Sequence, residues 1–352
     1  MTVPDWLLLD IIAAQAAALA LVWGVVLVHG ALAARRRARQ PVLSEARRVI
    51  VRGLLDGSLD GSELEKLQRL PRGERIRLLN RVTPNLRGRE REWLGWLAEE
   101  LGLVDYGRRL IRSRFWWRRL RGARLLTLAG GSGDAVLRLA GDPHPLVRTQ
   151  VAEWCGANPS EHAVATLVGM LGDPSQASRF AVQDALVRIA AAAVEPLARA
   201  LRRSPGEPEI LAALTVARGI GDSRLARPVL RLADHDSARV RAAAFRALGL
   251  AGGREAAERL ERGLGDPDAG ARAAAASSLG ELAHWQAGPA LARALGDTSW
   301  DVRAAAGRAL LRIGPPGELL LRRVMKRGDG FAADMARHAL DTAGVVTRFA
   351  AS

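Results

Sequence analysis

The chain has 352 residues, 52 Lys or Arg against 37 Asp or Glu, and a formal net charge of +15. Its single cysteine, Cys155, excludes an intramolecular disulfide and argues against a cysteine-based metal site. Aromatic residues are few and hydrophobic ones make up 49%, which suits helices packed through Ala and Leu. The basic charge is uneven: residues 35–141 hold 25 cations against 12 acids, and residues 142–352 hold 27 against 23. All but Lys66 and Lys326 of the cations are Arg, which with the Ala and Gly content suggests a GC-rich bacterial genome.

Residues 11–34 carry no formal charge, and at about 1.5 Å per helical residue such a run reaches across a hydrocarbon layer about 30 Å thick. Arg35, Arg36, Arg37 and Arg39 follow at once. Their position predicts a single-pass anchor over 1–34 in an inner or plasma membrane, N-terminus outside and the remainder cytoplasmic. A cleaved signal peptide fits less well, because the leader is acidic and the apolar run too long.

Residues 35–105 read as a basic juxtamembrane region of short helices. Pro41 is expected to break the chain away from the first helix. Val42–Leu55 forms an amphipathic stretch, and Ser62–Glu65 looks like a capping box for a helix ending before Pro71. Glu74–Val82 and Arg89–Leu101 follow, the latter carrying Trp93 and Trp96.

Between 108 and 124 lie Arg108, Arg109, Arg112, Arg114, Arg118, Arg119, Arg121 and Arg124, interleaved with Phe115, Trp116 and Trp117 and free of acids. Arginine forks and stackable rings suit an anionic partner: lipid head groups, nucleic acid or an acidic protein face. The alternative is the polar face of a repeat helix, with Phe115, Trp116 and Leu120 buried.

From residue 142 a period of 31 takes over. Asp142, Asp173, Ser204, His235 (beside Asp236), Asp266 and Asp297 share one register. Six residues on come Arg148, Arg179, Ile210, Arg241, Arg272 and Arg303. A third column runs Cys155, Leu186, Ala217, Leu248, Leu279, Leu310. Apolar residues at three- and four-residue steps within each unit predict two short helices per repeat, with Asp at the N-cap and Gly221, Gly252 or Gly314 ending the first helix. The Arg and Asp columns predict a structural ladder in which each Arg pairs with the Asp of its own or a neighbouring repeat. Its members are Asp142, Arg148, Asp173, Arg179, Asp236, Arg241, Asp266, Arg272, Asp297 and Arg303.

Asp236–Gly249 and Asp297–Leu310 resemble the HEAT repeat, in the short variety named after phycobilisome lyases, with its Val-Arg-x-x-Ala-x-x-Ala-Leu core. The resemblance covers about residues 112–344 and is weakest at 204–234. It implies an all-α solenoid of about seven hairpins over 106–344, followed by a tail at 345–352. The second helices are expected to form the concave face.

The six histidines are scattered, and no nucleophile elbow, Walker loop or dinucleotide fingerprint appears. The expectation is a non-enzymatic, membrane-anchored scaffold that binds protein partners and needs no cofactor or metal. A nucleic-acid-binding protein is the alternative, and a lyase- or glycosylase-type enzyme a more distant one.

Overall fold

The computed structural model describes residues 5–82, 88–130, 133–203, 206–327 and 330–350. Every regular element among them is helical. The chain divides into two compact units: Met1–Arg109 with Leu128–Gly131, and Leu110–Thr127 with Ser132–Ser352.

The first unit is built on α1 (Asp5–Asp56), followed by α2 (Gly61–Arg69), α3 (Arg72–Val82), α4 (Arg89–Glu100) and α5 (Leu103–Leu110). Ile50, Leu67, Leu79, Leu94 and Leu97 are fully buried in its core. Trp93 packs on Gly53, where a Cβ would fall 2.5 Å from the indole. Pro41 does not break the chain; it lies inside α1. The helix loses one amide donor there and continues. The box that opens α2 is Asp60 with Glu63, two residues earlier than Ser62–Glu65.

Among the described residues no helix is long and apolar enough to cross a membrane. The uncharged stretch, interrupted by Gln15, Gly24 and His29, is part of one 52-residue helix that runs on through Arg47, Arg48 and Arg52 to Asp56. The anchor expected at 1–34, its topology and the membrane localisation are corrected accordingly. The side chains of Arg35, Arg36, Arg37 and Arg39 lie outside the described residues. With the anchor withdrawn, anionic lipid loses its basis as their partner.

The second unit is a stack of helical pairs. These are α6 (Trp116–Ala129) with α7 (Gly133–Leu137), α8 (Pro145–Ala157) with α9 (Glu161–Gly169), and α10 (Gln176–Arg188) with α11 (Ala190–Arg203). Next come α12 (Glu207–Ile220) with α13 (Ala226–Leu232), α14 (Ala238–Ala251) with α15 (Arg254–Gly263), α16 (Ala269–Glu281) with α17 (Gly288–Ala294), and α18 (Trp300–Ile313) with α19 (Pro315–Arg327). The last helix, α20 (Gly330–Ala350), packs on α18 and α19.

Val240, Phe245, Leu248, Val302 and Leu310 point from the first helices into the space between the layers and are wholly buried. The first helices approach one another through small residues. A Cβ on Gly280 would lie 2.7 Å from Cα of Ala309, so α16 and α18 meet backbone to backbone there. Arg218 of α12 meets Glu281 of α16, two repeats further on, at 3.1 Å, a reach that places the first-helix layer on the inside of the bend. The second helices expected to line the concave face form the outer layer instead.

The register aspartates do not cap the first helices. The N-caps are His144, Ser175, Ser237, Asp268 and Ser299, one or two residues further on. Each aspartate instead makes a local turn, as when Asp266 Oδ1 accepts the amide of Asp268 at 2.9 Å. Its other role is to receive an arginine from the preceding repeat.

Candidate docking groove on the inner helix layer

The ladder runs strictly forward. Arg241 donates Nε and Nη2 to the two Asp266 oxygens at 2.8 Å each, and Nη1 to the carbonyls of His235 (3.0 Å) and Asp236 (2.9 Å). Arg148–Asp173 and Arg272–Asp297 repeat this fork. Arg119–Asp142 does so as well, which takes Arg119 out of the exposed basic patch and makes it the first rung. Asp236 is not a rung, because only its main-chain carbonyl meets Arg241. Arg179 reaches the Asp173 carbonyl, its forward position being Ser204. Arg303 bonds the Asp297 and Thr298 carbonyls and lies over the Phe331 ring.

The forks hold the Asp266 and Asp297 carboxyls below the usual carboxylate range, the Arg hydrogen bonds outweighing burial. At Asp142 and Asp173 burial is the largest influence and pushes upward. The Arg119 and Arg148 forks, with the amides of His144 and Ser175 and, at Asp173, the Ser178 hydroxyl, more than offset it.

The basic aromatic stretch divides between the units. In the first, Arg108 pairs with Asp105 at 3.1 Å and Arg109 donates to the Asp105 carbonyl. In the second, Phe115 stacks on Trp117 at 4.6 Å, with Arg114 and Arg118 over the Phe115 face, and Trp116 stacks on His144. Arg112, Arg114, Trp117, Arg118 and Arg121 are exposed.

A second feature of the inner layer lies across α12, α14, α16 and α18. A cavity of about 290 Å³ has a floor of Ala273, Ala274, Ser278, Ala305 and Ala309. Its walls are Arg218, Arg246, Arg308 and Arg312, with Glu281 and Asp301. Arg218 of α12 reaches Glu281 of α16 at 3.1 Å, passing over α14. Gly249 makes that crossing possible, since a Cβ there would sit 2.8 Å from a Glu281 oxygen. Side chains two repeats apart touch only on the inside of a bend. Arg246, Ser277 and Arg308 occupy one register, so two arginines flank a serine.

None of the groove arginines stood out in the sequence. The column 246, 277, 308 was readable at the same period of 31, but its Arg, Ser and Arg match no repeat consensus.

A model of HEAT repeats matches residues 133–216, 194–280 and 262–341, together more than half of the chain. No curated protein matches by sequence. Among solved structures, the karyopherin Kap121p bound to the extreme C-terminus of the protein phosphatase Cdc14p is similar, with a TM-score of 0.56 and 15% identity. That match covers 84% of this chain and 39% of the karyopherin. The complex of CpcE and CpcF of phycocyanin lyase from Nostoc sp. PCC7120 is 21% identical over 68% of this chain and 94% of that one, TM-score 0.33. Human deoxyhypusine hydroxylase is 23% identical over 69% of this chain and 98% of its own, TM-score 0.29. With three overlapping matches on a ladder of helical pairs, the chain belongs to the HEAT-repeat proteins.

Proposed function

We propose that this protein is a scaffold that holds a protein partner along the inner layer of its solenoid. The observation that carries the reading is the groove over α12–α18, where a floor of Ala and Ser lies open between long arginine side chains. Solenoids present such inner surfaces to extended partners. The karyopherin, whose fold this chain shares, is itself described as bound to a segment of another protein. The role proposed is binding, supported by a small-residue floor set between long cationic side chains.

A photo-crosslinking residue at Ser277, compared with one at Leu319 on exposed α19, tests this in cell extract. Protein adducts should form at 277, be lost when unlabelled wild-type protein competes, and persist when the competitor carries Ser277→Trp, which fills its groove. Equal adducts at both positions would refute the reading. A nucleic-acid partner is the second reading, favoured by the exposed Trp117 stack and its arginines. It requires that oligonucleotide binding fall steeply with salt and vanish in Trp117→Ala.

A further inference from the structure

We propose that the groove selects an acidic segment of its protein partner, holding carboxylates between Arg246 on one side and the Arg308/Arg312 pair on the other. The inference rests on the inner-layer reading and adds the partner's chemistry.

Three observations carry it. The groove holds four arginines against two carboxylates, and one of those carboxylates, Glu281, is already committed to Arg218. Arg246, Arg308 and Arg312 are exposed, and none forms a hydrogen bond or ion pair among the described residues. The ladder arginines, by contrast, lie in another register with side chains only 12–15% exposed and are fully engaged by Asp. Finally, Ser278 is 1% exposed, lines the floor, and leaves its hydroxyl unpartnered. A buried hydroxyl without a partner is a cost that an incoming acceptor removes.

The geometry specifies more than a positive patch. Arg308 and Arg312 are four residues apart on α18 and project on one face, while Arg246 approaches from α14 across Ser277. One carboxylate satisfies one guanidinium fork. Arginines placed on both sides of a small-residue floor therefore call for several carboxylates along one chain. The Ala floor admits backbone close to the helices, as an extended or helical peptide requires. Along the same register the N-terminal positions are Glu153 and Asp184, both paired with Arg188, so among the described residues the unpaired cations of this register are Arg246 and Arg308. This gives an acidic segment one end of the register to dock on.

The experiment uses the full chain and a fluorescein-labelled Glu-rich 12-residue peptide, read by anisotropy at two salt concentrations. Three control ligands accompany it: the Gln counterpart, a phosphoserine counterpart, and a single-stranded DNA of equal charge. The Glu peptide should bind at least tenfold more tightly than the Gln peptide. R308A/R312A should weaken it at least tenfold and R246A severalfold, while R308K/R312K retains part of the binding because charge survives and the fork does not. All these side chains are exposed, and circular dichroism checks that helix content is unchanged. R227A/R231A removes a second basic cluster, on α13 of the outer layer, and should leave binding as it was.

Equal loss in R227A/R231A, or none in R308A/R312A, would overturn the proposal. DNA binding as tight as peptide binding, with the same dependence on Arg308 and Arg312, would overturn it in favour of a nucleic acid. Phosphoserine binding more tightly than Glu at the same arginines supports it, as the same anion chemistry with higher charge. Crosslinks at Ser277 without acidic-peptide binding would sink this inference and leave the scaffold reading standing.

Discussion

Replacing Arg241 by Ala tests what the ladder contributes. Its guanidinium sits with 14% of the side chain exposed against an Asp266 carboxylate that is 6% exposed. It makes four hydrogen bonds, two to the carboxylate and two to carbonyls of its own repeat. The truncation strands a nearly buried carboxylate, and breaking such a pair costs about 3–5 kcal/mol. Asp266 keeps its bond from the Asp268 amide and gains some water, so the lower end, about 3 kcal/mol, is the expected loss. Because a repeat array opens locally, the loss is read by hydrogen exchange at the amides of α14 and α16. The double variant R241A/D266A should recover about 1–2 kcal/mol of the summed single losses, since removing both charges leaves neither orphaned. A single loss below about 0.5 kcal/mol, or simple additivity, would show that the fork is a crystal-like ornament of the fold and refute the reasoning.

Acid should loosen the solenoid in a defined direction. The Asp142, Asp173, Asp266 and Asp297 carboxyls lie below their ordinary value, so their contribution is complete above about pH 4 and is lost as pH falls through their folded values. A urea midpoint that holds from pH 7 to 5 and then drops checks this, and R241A should flatten the drop. Cys155 is wholly buried, with its thiol pushed up to about 12 by desolvation, so a maleimide should label it only when the protein unfolds. Gly280→Ala should destabilise by about 1–3 kcal/mol, because the new methyl meets the α18 backbone. Gly169→Ala, with nothing within 4 Å, should not destabilise, and thermal denaturation separates the two.

The architecture was legible because its physics repeats: every 31 residues the same apolar column faces the same layer, and Leu248, Leu279 and Leu310 are buried as that column requires. The ladder's direction was not legible, because spacing alone equally allows Arg241 to meet Asp236 or Asp266. The caps were misplaced by one or two residues, since an Asp that closes a turn and an Asp that caps a helix look alike in sequence. Arg119 was grouped with its exposed neighbours because Asp142, 23 residues on, is off the period of 25 that the other rungs keep. The groove stayed hidden for a related reason. Arg246 and Arg308 are ordinary surface residues until curvature brings alternate helices together, and no local pattern encodes that curvature.

The rungs are not continuous. Forks bind the repeats from Arg119 to Asp173 and again from Arg241 to Asp297, while Ile210 stands where a donor would be and His235 where its acceptor would be. Two riveted stretches thus meet at a seam that no fork crosses, held by the buried positions of α12 and by the exposed pairs Arg239–Glu207 and Arg218–Glu281. Bending compliance concentrates at such a seam, as in a beam with a thinned section. The mouth of the groove, which begins at Arg218 on that same helix, can open or narrow around what it grips without any rung having to break.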